Sequence, residues 1–553
     1  MEQQRPTFRI GLCLAGAISA GAYTAGAMDY LVEALEEWQQ RKDSGIAGVP
    51  SHQVAIPVIG GASAGGMTGI IAAAALHDPI VPVRTLASGD IINQRPDNKF
   101  YETWVGLTAD DMLPELLDIA DLGSGKITSA LNSGFIDRIA ERVIKVKGDQ
   151  AVRRKYIAEQ LKIFVTLSSL KGMDYTVDFN GVNTDPDKYV MTSHNDYACF
   201  KLAASQEAYT DDGWIPLNFR TGLNVTVARD AAMATGAFPV GLKARRLNRD
   251  SMYMRHHDWF ELIRRNAEDP FPGKNYPTIN VDGGMINNEP FEYVRSVLNE
   301  FAAQTEAEIQ DPDTFQNTVL MIDPFPSETA KFDNRDDLSI VIRNTLGTLM
   351  DQSSIKPAVL SKAIDKRKKG QFLISPVRYP EGEQTPLSGK MAIACGSLGG
   401  FGGFLSKEFR IHDYFLGRAN CEKFLRDHFT VPLDTANPIF VEGYRGLHDQ
   451  LQFRSADGKG LQIIPLFTPR QPQPYMPRFA NGNIWPSLSA ATLDARRGLI
   501  GKRCEGILFN IASYNYWQKA LLWIGAKVLI NKKVSGLVLE RVRASLKTHR
   551  LLG

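Results

Sequence analysis

Two glycine-punctuated turns, each entered from a short apolar run and left through small helix-forming residues, constrain this chain more than any other feature. Phe8–Leu14 reads as a buried strand. A Gly/Ala/Ser loop follows, then a helix from about Gly21 to Trp38 with Met28, Leu31, Val32 and Leu35 on one side. Val54–Ile59 is a second apolar run. It enters GGASAGG at Gly60–Gly66 and continues into the alanine-rich stretch Ala64–Leu76, which His77-Asp78-Pro79 stops. Strand, tight turn, helix, met twice, argues for an α/β sheet with crossover helices. Ile163–Leu167, Thr278–Val281 and Thr318–Ile322 read as further strands, with a helix from about Pro290 to Gln304 between the last two. Their alternation predicts a largely parallel sheet.

The rest of the chain is less regular. Residues from about 80 to 155 read as a helical, polar insertion broken by Pro, Asp and Gly. The stretch from about 340 to 430 reads as mainly helical, interrupted by a flexible turn in GSLGGFGG, Gly396–Gly403. The expected division is an α/β domain at 8–330 carrying that insertion, and a predominantly helical extension at 331–463. A Pro/Gly-rich linker or surface excursion at 464–486 follows, then an amphipathic helical region at 487–553. In that last region Tyr514–Ser545 presents an apolar surface with Trp517, Trp523 and Ile530, but Lys519 and Lys527 break any membrane span. It suits packing on the α/β domain or a peripheral contact with a membrane surface. Ile10–Met28 carries no charge, yet it is mostly glycine, alanine, serine and threonine, and reads as strand, loop and helix start. No other stretch reaches the roughly 18 uninterrupted apolar residues of a span.

Composition excludes more than it selects. A net charge of +2 gives no electrostatic case for a nucleic-acid partner. The basic stretches Arg153–Lys155 and Asp365–Gly370 are short, lack interleaved aromatics, and read as solvated faces. The five cysteines are widely scattered without CxxC spacing, as expected of reduced thiols in a cytoplasmic protein. No Cys/His cluster has zinc spacing and no HExxH pair occurs, so the sequence implies no metal and no cofactor.

Gly61-Ala62-Ser63-Ala64-Gly65 is a G-x-S-x-G pattern set between a strand and a helix. On so cramped a turn, larger side chains at Gly61 and Gly65 would collide while the Ser63 hydroxyl projects above the sheet. The helix that follows offers unpaired N–H groups, Ala64 among them, where oxyanion charge develops. A lone serine needs a base. Asp282 stands at the end of a strand in VDGGMINNEP, where Gly283 and Gly284 relax the backbone and Asn287, Asn288 and Glu289 can cap or orient. Taken by itself Asp282 better suits a turn or a helix cap. A conventional triad through His412, His428 or His448 is the competing arrangement. The loop LAGAISAGAY, residues 14–23, can turn the amides of Gly16, Ala17 and Ile18 toward the Ser63 turn as an anion nest. Gly11, Gly16 and Gly21 are spaced by five, which is not a dinucleotide GxGxxG, and no GxxxxGK is present.

Together, GLCLAGAISAGAY near the start, GASAGG around Ser63 and DGG at Asp282–Gly284 resemble the patatin-like phospholipase family. FVTLSSLKG at Phe164–Gly172 and ARDAAMATGAFPV at Ala228–Val240 are lesser matches. Gly399–Asn420 resembles a downstream segment of larger bacterial patatin-related proteins. The resemblance implies a three-layer α/β/α domain with a mostly parallel central sheet and a Ser-Asp dyad. It also implies hydrolysis of acyl lipids or phospholipids without a metal. Carried onto this chain, Ser63 attacks the ester and Asp282 accepts its proton. One position departs from the family pattern: the loop cation common in the family is replaced by Ala20, and Ile18 is bulky. Two other functions share these residues, a lipid acyltransferase and a weak or inactive lipid-binding scaffold. Oligomeric partners are not legible.

Overall fold

Both N-terminal strand–turn–helix units form where the small residues permit them. The computed structural model describes residues 7–106, 109–124, 126–147, 152–177, 189–203, 212–255, 273–326, 337, 371–447, 449–471, 473–510 and 534–553. Strand β1 (Thr7–Leu14) passes through a short turn at Ile18–Ala20 into helix α1 (Gly21–Asp43). Strand β2 (Gln53–Gly61) enters helix α2 (Ser63–Ala75). The two strands run parallel with Leu14 beside Gly61, so both turns emerge at one sheet edge.

Strands β3 (Ile157–Val177), β4 (Tyr189–Leu202), β5 (Ile215–Leu217), β6 (Arg245–Asp250), β7 (Asn275–Asp282), β8 (Asn317–Ile322) and β9 (Gln371–Ile374) complete the sheet. Its main path is β5-β4-β3-β2-β1-β8-β9, and the stretch from β3 to β9 is parallel throughout. Four further helices matter for the site: α3 (Gly134–Val143), α4 (Val225–Thr235), α5 (Phe291–Phe301) and α6 (Lys407–Asp427). Residues of β1 alternate between two cores. Phe8, Ile10, Leu12 and Leu14 join α1 and α2 in the larger one, whereas Cys13 packs with Val294, Val297 and Leu298 of α5. Helices thus cover both faces, giving an α/β/α arrangement.

Helix α6 lies against α1 almost backbone to backbone. A side chain at Gly26 would come within 1.9 Å of the Tyr414 carbonyl oxygen, and one at Gly417 within 2.1 Å of that of Tyr23. Beside this contact Arg418 is paired with both Asp29 and Glu33, and Asn98 donates to Asp29 Oδ1 at 2.7 Å. These charges are buried, so removing one partner would leave the other charge unpaired in the interior.

Three expectations change with the structure. The strand ending in Asp282 is not a further parallel member of the sheet: β7 runs antiparallel to β3 and to β6. The insertion after α2 is, as expected, broken into short helices and turns of which α3 is the longest, with Pro79, Pro82 and Pro96 among the breaks. The region from 340 is not helical throughout, since Gln371–Ile374 adds a strand beside β8. Nor is Gly396–Gly403 a free surface turn: Gly396, Ser397, Gly400, Gly402 and Gly403 are buried. Ile464, Leu466 and Phe479 are also buried. The basic stretch Asp365–Gly370 and the apolar residues Trp517–Ile530 lie outside the described residues. No helix among the described residues is long and apolar enough to cross a membrane.

Candidate active site

Ser63 is held by strain and by a hydrogen bond. It is the first residue of α2, its φ is 49°, and its N–H donates to Thr235 Oγ1 at 2.8 Å. A non-glycine residue in this region costs on the order of 1–3 kcal/mol and persists only where its surroundings enforce it. Here the enforcement is steric: at Gly65 a side chain would fall 2.2 Å from the Leu14 carbonyl oxygen, and at Gly61 one would fall 2.7 Å from the backbone of Gly65. The glycines therefore let α2 start directly against the end of β1.

The long strand β3 brings Asp282 to Ser63. Its edge pairs first with β2, which runs parallel and stops with Gly61 opposite Val165. Along the same edge β7 then approaches from the other direction and stops with Asp282 opposite Leu167. Two C-terminal strand ends thus meet nearly head-on. Asp282 N–H donates to the Ala237 carbonyl at 2.9 Å, and Ser168 Oγ donates to the Asp282 carbonyl at 2.8 Å. Gly283 lies so close to Thr166 that a side chain there would approach its carbonyl oxygen to 2.1 Å.

The carboxylate is shared between two donors. Ser63 Oγ donates to Asp282 Oδ2 at 2.7 Å, and Gly284 N–H donates to Oδ1 at 2.8 Å. Burial pushes the Asp282 carboxyl up to about 6, while those two hydrogen bonds pull it down without cancelling the effect. Such a carboxylate is ionised at neutral pH yet more basic than an ordinary aspartate, which suits it to take a hydroxyl proton.

The glycine loop divides its amides between structure and site. Gly16 N–H is engaged with the Asn288 carbonyl at 3.3 Å. A side chain at Gly16 would fall 2.2 Å from Asn288 Oδ1 and 3.0 Å from Ser63 Cβ, so the loop passes close beside the serine. Among the described residues the amides of Ala17, Ile18 and Ala64 make no hydrogen bond. Ile18 adopts φ 47°. Asn287 is turned away, donating to Tyr197 Oη at 2.9 Å.

Ser63 and Asp282 open onto a narrow, largely apolar cavity of about 90 Å³. Ile18, Ala64 and Met67 border it near the turn; Met112, Phe135, Ile136 and Ile139 come from the insertion, and Phe404 and Arg410 from far downstream. None of the described histidines lines it. His412 is fully buried in α6, with Nδ1 2.8 Å from Asp413 Oδ1 and its ring edge-on to Trp485. Burial lowers its pKa, with the Asp413 contact opposing. His428 caps the end of the same helix, and His448 lies outside the described residues. Sequence reasoning missed Thr235, Phe404 and Arg410. All three lie in segments already noted, Ala228–Val240 and Gly399–Asn420, but nothing within those segments says which residue reaches the site, because each does so by tertiary packing.

Residues 12–295 match the model of the patatin-like phospholipase family. An uncharacterized protein of Sinorhizobium fredii (strain NBRC 101917 / NGR234), y4iI, is 32% identical over 586 aligned residues, covering 96% of this chain and 81% of that protein.

Proposed function

The chain belongs to the patatin-like phospholipase family, and from that premise we propose that it is a serine acyl hydrolase cleaving carboxylic esters of phospholipids or related acyl lipids. Ser63 is the nucleophile and Asp282 its base. The observation that carries this reading is the 2.7 Å hydrogen bond from Ser63 Oγ to the buried Asp282 carboxylate at one end of an apolar cavity. An acyl chain in that cavity would leave its ester carbonyl beside Ser63, with the polar head group directed outward.

The chemistry balances with these two side chains. Ser63 Oγ bonds to the carbonyl carbon as its proton passes to Asp282 Oδ2, and the carbonyl oxygen takes up negative charge near the amides of Ala17, Ile18 and Ala64. Collapse breaks the ester C–O bond, and the leaving alcohol takes the proton from Asp282. Water then attacks the acyl-serine while Asp282 accepts its proton. Release of the fatty acid returns that proton to Ser63 Oγ. The start of α2 favours the developing charge, since the free amide of Ala64 and the positive end of the helix dipole lie beside the serine.

A long-chain fluorophosphonate tests the assignment. Mass spectrometry should place the label on Ser63, with labelling lost in Ser63→Ala and strongly slowed in Asp282→Asn, and retained when His412, His428 or His448 is replaced by alanine. Dependence on one histidine would make the enzyme a triad hydrolase instead. A folded wild type that takes up no label on Ser63 would sink the hydrolase reading.

A further inference from the structure

Arg410 is a fully buried cation on the wall of the cavity that holds Ser63, and it lies outside the residues matched by the family model. Its two terminal nitrogens are both committed: Nη1 donates to the carbonyl of Gly403 and Nη2 to that of Ala109. Among the described residues its Nε has no partner. Gly403 in turn donates its N–H to Ser19 Oγ at 3.0 Å, and that hydroxyl donates onward to the carbonyl of Gly400. Ser19 directly follows Ala17 and Ile18, whose amides are unengaged. The contact is intimate, since a side chain at Gly403 would fall 2.6 Å from both Ser19 Oγ and Cys395 Sγ.

We propose that Arg410 is a positioning residue for the acyl-transfer site: through the Gly400–Gly403 turn it clamps Ser19, and thereby holds the amides of Ala17 and Ile18 where the oxyanion forms. The inference rests on the hydrolase reading above. Arginine suits the task because its planar fork can hold two carbonyls from separate segments at once, here the downstream turn and the insertion. Although burial brings its pKa down to about 10, the group stays cationic across the working pH range. A charged donor also makes stronger bonds to both carbonyls than a neutral one would. The loop itself carries no cation, Ala20 standing at its end, so the anchor comes from a helix almost four hundred residues downstream.

The test measures kcat and KM with p-nitrophenyl butyrate, active sites being counted by fluorophosphonate titration so that a misfolded fraction does not enter. The variants are Ser19→Ala, Arg410→Gln, Arg410→Lys and the double variant of the first two. Ser19→Ala and Arg410→Gln should each lower kcat per titrated site by about 10- to 100-fold, as a loop displaced by about 1 Å would, with KM little changed. Arg410→Lys should recover part of the loss. The double variant should be no slower than the worse single one, because both act through one chain of contacts. The acid limb of the pH profile should stay in place, since Arg410 is not among the groups that set the Asp282 proton affinity. Unchanged kcat in Ser19→Ala and Arg410→Gln, or losses that multiply in the double variant, would overturn the inference. If Arg410→Gln fails to fold, Ser19→Ala with Arg410→Lys completes the same cycle. A wild type that neither labels nor hydrolyses the ester would instead sink the hydrolase reading, and the inference with it.

Discussion

Asp282→Asn should make the protein less sensitive to rising pH, by an amount that follows from the site. Asp282 is only 5% exposed, and burial raises its carboxyl to about 6 against an ordinary value of 3.8. The folded chain therefore binds this proton more tightly than the unfolded chain. Its contribution to stability is complete below about pH 4 and is lost as pH rises through about 6. A gap of about two units corresponds to about 3 kcal/mol, and roughly half of that, about 1.5 kcal/mol, falls between pH 5 and pH 8. Asparagine keeps the shape but does not titrate. Urea unfolding of both proteins at the two pH values should show the variant gaining about 1.5 kcal/mol on wild type from the lower to the higher. Any constant cost of altering the Ser63 hydrogen bond cancels in that difference. A difference independent of pH, or of opposite sign, would refute the claim that the fold desolvates this carboxylate. The same proton should set the acid limb of wild-type kcat/KM near pH 6, and a limb below pH 5 would contradict the assignment of Asp282 as base.

Two further substitutions probe the turn and the cavity. Gly65→Ala would place a methyl 2.2 Å from the Leu14 carbonyl oxygen, a backbone atom that cannot swing aside, and should cost about 1–3 kcal/mol in equilibrium unfolding; unchanged stability would show that α2 need not start against β1. Phe135→Ala should open the cavity wall where Phe135 meets Phe404, with ring centroids 6.5 Å apart. Activity should then shift toward longer p-nitrophenyl esters, by up to about fourfold for each additional methylene buried, or about 0.8 kcal/mol. An unaltered chain-length preference would remove this cavity from the acyl-binding role.

Much of the local architecture was legible because its causes are local. An apolar run, a turn of small residues and an alanine-rich stretch can hardly form anything but the β2–α2 unit, and the helix expected from Ala64 begins one residue earlier, at Ser63. The strand before Asp282 and the helix after it were likewise readable from periodicity. What periodicity could not contain was direction. The apolar pattern of β7 is the same whether it runs parallel or antiparallel to its neighbour, and only pairing with the far half of β3 aims Asp282 at Ser63. The turn at Gly396–Gly403 was read as flexible because glycine is permissive. Its glycines instead allow close packing on the donor loop, a requirement imposed by Ser19 and invisible within the segment itself. Phe409–Arg418 falls in the stretch that reads as helical and forms part of α6, but nothing within it says which of its residues reaches a cavity. The sequence by itself determined the two turns, the serine's place at a helix start and the mixed α/β class, since these rest on backbone sterics and side-chain period over a few residues. Only the tertiary structure decided the meeting of Ser63 with Asp282, the walls of the cavity and the reach of Arg410, because each depends on contacts between segments whose separation along the chain carries no local signal.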